Sequence, residues 1–138
     1  MNVLRVLRSL ALTGLMMAAT QGVAGEASAP PATTSPLLTR ALPDIDGKEV
    51  VMLTVEYSPG GASSAHRHNA NTFVYVLEGS VVMQVKGGKE VTLQPGDTFY
   101  ESPSDIHTVS RNASETAPAK FLVFFVKDAG APPLVPLE

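Results

Sequence analysis

Residues 60–79 read GGASSAHRHNANTFVYVLEG, and residues 96–112 read GDTFYESPSDIHTVSRN. In the first stretch, residues 72–78 form a run of β-branched, aromatic and aliphatic side chains closed by a turn at Gly79, which predicts a strand. His66 and His68 stand two residues apart just before it, and the period of two in extended chain points both imidazoles to one face. The second stretch follows a type II turn at Gln94-Pro95-Gly96-Asp97, where Pro presets φ and Gly supplies the positive φ. A strand over residues 98–102 comes next, then one over residues 106–111 that carries His107.

Working outward, residues 80–86 and 90–94 flank Gly87-Gly88, a two-glycine hairpin that tolerates positive φ at both central positions. Residues 49–57 place Val51, Leu53, Val55 and Tyr57 on one side and end at Ser58-Pro59-Gly60-Gly61. Residues 120–127 supply a last strand after a polar loop over 112–118. No stretch after Pro43 has a helical period, so about seven short strands predict an all-β, single-domain antiparallel barrel or double-sheet sandwich. The tail 129–138, with Pro132, Pro133 and Pro136, cannot donate to a central sheet and is expected to cover an edge or pack on a partner.

At the other end, Arg5 and Arg8, an apolar run over residues 9–19 and small residues at Val23-Ala24-Gly25 have the pattern of a secretory signal peptide. The run is shorter than the roughly 20 residues a spanning helix needs, so residues 1–25 are expected to be removed, leaving no stable membrane anchor and a periplasmic or secreted protein. Residues 26–36, rich in Ala, Pro, Ser and Thr, read as a flexible linker, and the barrel domain as 37–138. Of 138 residues, 44% are hydrophobic and 17% charged, enough to bury one core and too little charge for a disordered chain.

Without the leader's two arginines, eight basic residues face thirteen acidic ones, which argues against nucleic acid as the partner. There is no Cys, so no thiolate can bind metal or act as nucleophile. No phosphate-binding glycine loop, serine elbow or paired-carboxylate constellation is present. The chain has three histidines: His66, His68 and His107. Three neutral imidazoles converging from two strands would hold Fe, Zn, Mn, Ni or Cu with positions left open. On spacing alone, a polar loop and a surface histidine explain them as well.

The two opening stretches resemble the two motifs of the cupin superfamily. Gly60, His66, His68 and Gly79 fall on places of the first, G-x5-H-x-H-x3,4-E-x6-G, and Gly96 and His107 on places of the second, G-x5-P-x-G-x2-H-x3-N. The resemblance implies a jelly-roll barrel in which His66, His68 and His107 bind a divalent transition metal, and a homodimer. Three departures stand out. The motif glutamate falls on Thr72, or on Phe73 at the longer spacing; Ser104 replaces a glycine, with Pro103 one place out of register; and the last asparagine falls on Arg111, beside Asn112. Without the carboxylate, three neutral imidazoles leave a dication's site at +2 rather than +1, which favours anionic groups and acidifies bound water.

Thr72, Val74 and Val76 share one parity and are expected to line the interior beside the metal. Arg111 shares the parity of His107 and is the residue expected to hold a substrate carboxylate. Arg67 should point outward and Glu78 should be a solvated turn residue. Glu101 is expected at the surface, with a contact to an imidazole as the alternative, and Phe73, Tyr75, Met83 and Phe99 in the core. The expected function is metal-dependent handling of a small molecule, by a dioxygenase or isomerase. The alternatives are a binding module without catalysis and a structural barrel whose metal site has decayed.

Overall fold

The computed structural model describes residues 28–137, so the leader expected at residues 1–25 lies outside the described residues. Eleven strands and no helix make up the described chain: β1 (Thr33–Ala41), β2 (Lys48–Tyr57), β3 (Ala62–Ser63), β4 (His66–His68), β5 (Ala70–Glu78), β6 (Val81–Val85), β7 (Val91–Leu93), β8 (Thr98–Glu101), β9 (Ile106–Asn112), β10 (Ala119–Asp128) and β11 (Leu134–Pro136). They form two antiparallel sheets. One has the order β1-β2-β10-β5-β8; the other has β11-β4-β9-β6-β7, with β3 also on β9. Neighbouring strands are seldom consecutive in sequence, as a jelly roll requires.

β10 shows why these residues make strands. Ala119, Phe121, Val123, Phe125 and Lys127 are buried, and the residues between them are only partly covered, which is the period-two signature of a strand with one face on a core. The four apolar ones meet Val55 and Tyr57 of β2 and Val74 and Val76 of β5 from their own sheet. Val81 and Met83 of β6 and Leu93 of β7 close the core from the opposite sheet. The Gln94–Asp97 turn forms as expected, with Asp97 N donating to Gln94 O over 2.9 Å and Gly96 at φ 96°. At Gly87-Gly88 only Gly87 is left-handed, because the turn closes from Gly88 N to Val85 O rather than between two central glycines.

Three expectations are corrected. Thr33–Pro36, read as part of the linker, are the first half of β1 and pair with Leu53–Glu56 of β2. The pairing is at a sheet edge, where β-branched Thr33 and Thr34 extend and Pro36 is tolerated. Phe73 and Tyr75 are not core residues. The face of β5 that carries them looks outward, and each is 45% exposed, with Phe73 packed on Tyr100 at 5.2 Å between ring centres. Pairing of β6 with β9 slips between Gln84 and Val85, leaving Thr108 as an extra residue in β9. Beyond it the alternation inverts, so Ser110 and Asn112 point inward and Arg111 outward.

Gly79, at φ 68°, ends β5 where the chain passes against residues 118–119: a Cβ there would lie 2.4 Å from Pro118 O. Gly96 is equally left-handed but a Cβ would meet open space. Gly79→Ala should therefore cost about 3 kcal/mol, combining backbone strain with a backbone collision, and Gly96→Ala only about 1 kcal/mol. Urea denaturation of the two variants measures the difference, and equal losses would contradict the packing described.

Candidate metal centre

β4 and β9 are adjacent, and their pairing sets His66 directly opposite His107. Alternation along β4 buries His66 and His68 on one face while Arg67 between them is exposed. The three imidazoles therefore converge, with one ring nitrogen from each within 4.8 Å of the others.

Hydrogen bonds behind the rings fix what they present. His66 Nδ1 lies 2.7 Å from Ser64 O, and His68 Nδ1 lies 3.0 Å from Pro133 O. A carbonyl only accepts, so each Nδ1 carries the hydrogen and each neutral ring turns a bare Nε2 lone pair inward. Those two Nε2 atoms are 3.2 Å apart. Lone pairs at that distance repel unless a cation lies between them. Two nitrogens bound at about 2.1 Å to one ion, at angles between octahedral and tetrahedral, stand about 2.9–3.4 Å apart. Burial pushes the His68 imidazole below its ordinary value, against the pull of Glu101, so it is neutral and ready to ligate at neutral pH. The residues fit a divalent transition metal.

Thr72 is fully buried beside the imidazoles, and its Oγ1 has no hydrogen-bond partner. Directly opposite it, on β8, is Glu101. The expectation of a surface position for Glu101 is overturned: it is 1% exposed, with Oε2 3.2 Å from His107 Nδ1 and 3.9 Å from His68 Nε2. Among the described residues, the buried side-chain atoms without a hydrogen-bond partner are Thr72 Oγ1, Glu101 Oε2 and both ring nitrogens of His107, all in this one place. The sequence did carry a signal, since Phe99 and Glu101 share a parity and Phe99 packs on the core. Aromatic Tyr100 obscured it by making the opposite face look equally suited to burial.

The centre lines a cavity of about 410 Å3, walled mainly by apolar side chains such as Leu53, Val55, Val74, Met83, Phe121 and Val123. Val76 is buried in the core but does not line it. Arg111 is also absent: the bulge at Thr108 turns it outward, where it faces Glu90 at 3.6 Å. Ser110 takes the inward place and, with Ser63, hydrogen-bonds Tyr57 Oη at 2.7 Å each. Burial holds the Tyr57 phenol above its ordinary value, so it remains protonated. The same bulge explains the displaced asparagine, because Asn112 points inward, donating to Ser58 O and Ala117 O and accepting from Ser114 N. Where the resemblance leads one to expect Pro-x-Gly, Asp105 closes the turn by accepting from Ser102 N at 2.7 Å.

Residues 53–125 match the cupin domain family, more than half of the chain. The chain belongs to the cupin family. Among curated proteins none matches its sequence. Solved structures similar to it include a cupin domain from Bordetella pertussis Tohama I, 18% identical, covering 73% of this chain and 98% of that one at a TM-score of 0.58. The polyketide cyclase RemF from Streptomyces resistomycificus is 23% identical, with 73% and 72% covered and a TM-score of 0.54. The DMSP lyase DddQ from Ruegeria pomeroyi DSS-3 is 23% identical, with 61% of this cupin and 41% of the lyase covered at a TM-score of 0.55. At these identities the likeness is one of fold. Cupins commonly bind divalent metals and small molecules, and this one brings its three histidines together.

The direction of the His68 shift has a consequence for the metal-free protein. As pH falls, the unfolded chain takes up the proton near pH 6.5 while the buried ring resists, so acid favours unfolding. Stability should be full above about pH 6.5 and decline as the pH drops through the depressed pKa of His68. Glu49 and Asp128, held low by hydrogen bonds from Lys127 and Lys48, act only at lower pH. Urea midpoints measured in chelator between about pH 8 and 5 should fall less steeply for His68→Gln than for the wild type. Parallel curves would refute the assignment.

Proposed function

We propose that this cupin is an exported metal-dependent enzyme acting on a small molecule with an apolar body, in the manner of a dioxygenase or isomerase. The observation that carries this reading is the pair of inward Nε2 lone pairs of His66 and His68, 3.2 Å apart, facing an apolar cavity. Imidazole nitrogen suits Fe, Zn, Mn, Ni and Cu, and the chain has no thiolate to restrict the choice further. A bound ion supplies a Lewis-acidic centre with exchangeable positions.

The chain's own side chains do the rest. His66, His68 and His107 hold the ion, and the carbonyls of Ser64 and Pro133 keep the first two rings from turning. The apolar wall takes the body of the substrate and excludes water, and the Tyr57 phenol with Ser63 and Ser110 offers a neutral polar spot. Among the described residues no Lys or Arg lines the cavity. A substrate with several carboxylates would have only the ion to neutralise it, so a largely apolar molecule with one metal-binding oxygen group fits better. Export, to a periplasm or the outside, rests on residues 1–25, and the homodimer on the resemblance to other cupins.

Elemental analysis of the protein purified without added metal should find about one transition-metal ion per chain, and His66→Ala/His68→Ala should lose it. Equal metal in both proteins would refute the centre. Oxygen uptake and product analysis with small acids, thiols and diketones then test catalysis. Turnover should be strongest for the uncharged, apolar members and absent in the double variant. Saturable binding of such a molecule without turnover would identify a capture protein instead.

A further inference from the structure

The buried carboxylate of Glu101 is not accounted for by the three-histidine site. Taking a carboxylate out of water without a cation or hydrogen-bond donors is costly. Glu101 is 1% exposed, and among the described residues its Oε2 accepts no hydrogen bond and no Lys or Arg lines the cavity it faces. Its place in the register is equally specific: it stands directly across from Thr72, the position at which the first motif has its glutamate. Opposite residues in an antiparallel pair have Cβ atoms only about 5 Å apart.

We propose that Glu101 is the fourth protein ligand of the metal, a carboxylate supplied from β8 in place of the one missing from β5. This inference rests on the metal centre proposed above. The alternative, that Glu101 only orients His107 from behind, fits the geometry less well. Oε2 is 3.2 Å from His107 Nδ1, yet neither atom has a hydrogen-bond partner, so the ring hydrogen does not point at the carboxylate. Oε2 also lies 3.9 Å from His68 Nε2, the nitrogen that faces the ion. Ligands of one ion at about 2.1 Å are separated by about 3.0 Å when adjacent in an octahedron and about 4.2 Å when opposite. With Nδ1 as the nitrogen that His107 offers the ion, which this reading requires, both distances fall within that span. With Glu101 bound, the site's charge drops from +2 to +1 and two octahedral positions remain for a small molecule.

The test uses the full chain loaded with Cu(II) and compares wild type, Glu101→Gln and His66→Ala/His68→Ala by metal titration and electron paramagnetic resonance. For Glu101→Gln the dissociation constant should rise about 10- to 100-fold, and the copper hyperfine splitting should shift. An unchanged spectrum overturns the proposal, whether or not affinity falls; lost affinity with the same spectrum makes Glu101 a positioning residue for His107. If the Gln variant fails to fold by circular dichroism, Glu101→Asp gives the same readout, since it keeps the charge but withdraws the oxygen by one methylene. Copper bound equally by the double-histidine variant would instead refute the metal centre itself, so the two failures are distinct.

Discussion

Two imidazole nitrogens pointing their lone pairs at each other across 3.2 Å are tolerable only with a positive charge between them, and the surrounding fold holds them in that opposition. Neither ring is free to rotate away. His66 is tied to its own chain at Ser64, and His68 to Pro133 in the segment leading into β11. The tail therefore does more than cover a sheet edge: β11 pairs with β4 from His66 to His68, so the strand that carries two ligands is held by β9 on one side and β11 on the other. Proline costs nothing at position 133, because the carbonyl it retains is the group the imidazole needs.

The centre is also an electrostatic arrangement in which the protein supplies negative charge and the ion must supply the positive. Among the described residues Glu101 is the one carboxylate lining the cavity, burial holds the His68 imidazole neutral, and the remaining wall is mostly aliphatic and aromatic. In such surroundings an ion's field is weakly screened, so a substrate atom entering an open position would feel most of it. The Phe125 ring, 5.1 Å from His68, and the Phe99 ring, 5.9 Å from His107, keep water from the backs of both imidazoles.

How much of this was legible in the sequence depended on whether alternation ran unbroken. Along β4 and β5 it did, and the inward faces of His66, His68, Thr72, Val74 and Val76 follow from a period of two. Along β9 it did not. The extra residue at Thr108 leaves no mark in residue type, because a bulge depends on pairing with β6 rather than on local preference, and it exchanged the fates of Arg111 and its neighbours Ser110 and Asn112. Phe73 and Tyr75 misled for a different reason. Aromatic residues suit either face of a strand, and here they lie on the outer surface of the sheet next to Tyr100 and Phe124. β1 was hidden by its composition, since a polar, proline-containing segment is also what an edge strand is permitted to be.

Lys127 shows how the fold protects the charge balance of the cavity. It follows Phe125 on the inward face of β10, two residues beyond the ring that contacts His68, and it is 4% exposed. A free ammonium on that face would be the natural partner for Glu101 and a competitor of any metal cation. Instead its Nζ is taken by Glu49, directly across on β2, and by Asp128 O at 3.0 Å. Glu49 Oε1 also accepts from Gly130 N, which ties the start of the tail to the same pair. The lysine's charge is thus satisfied at the far end of β10, and the carboxylate of Glu101 is left for a cation that the described residues do not provide.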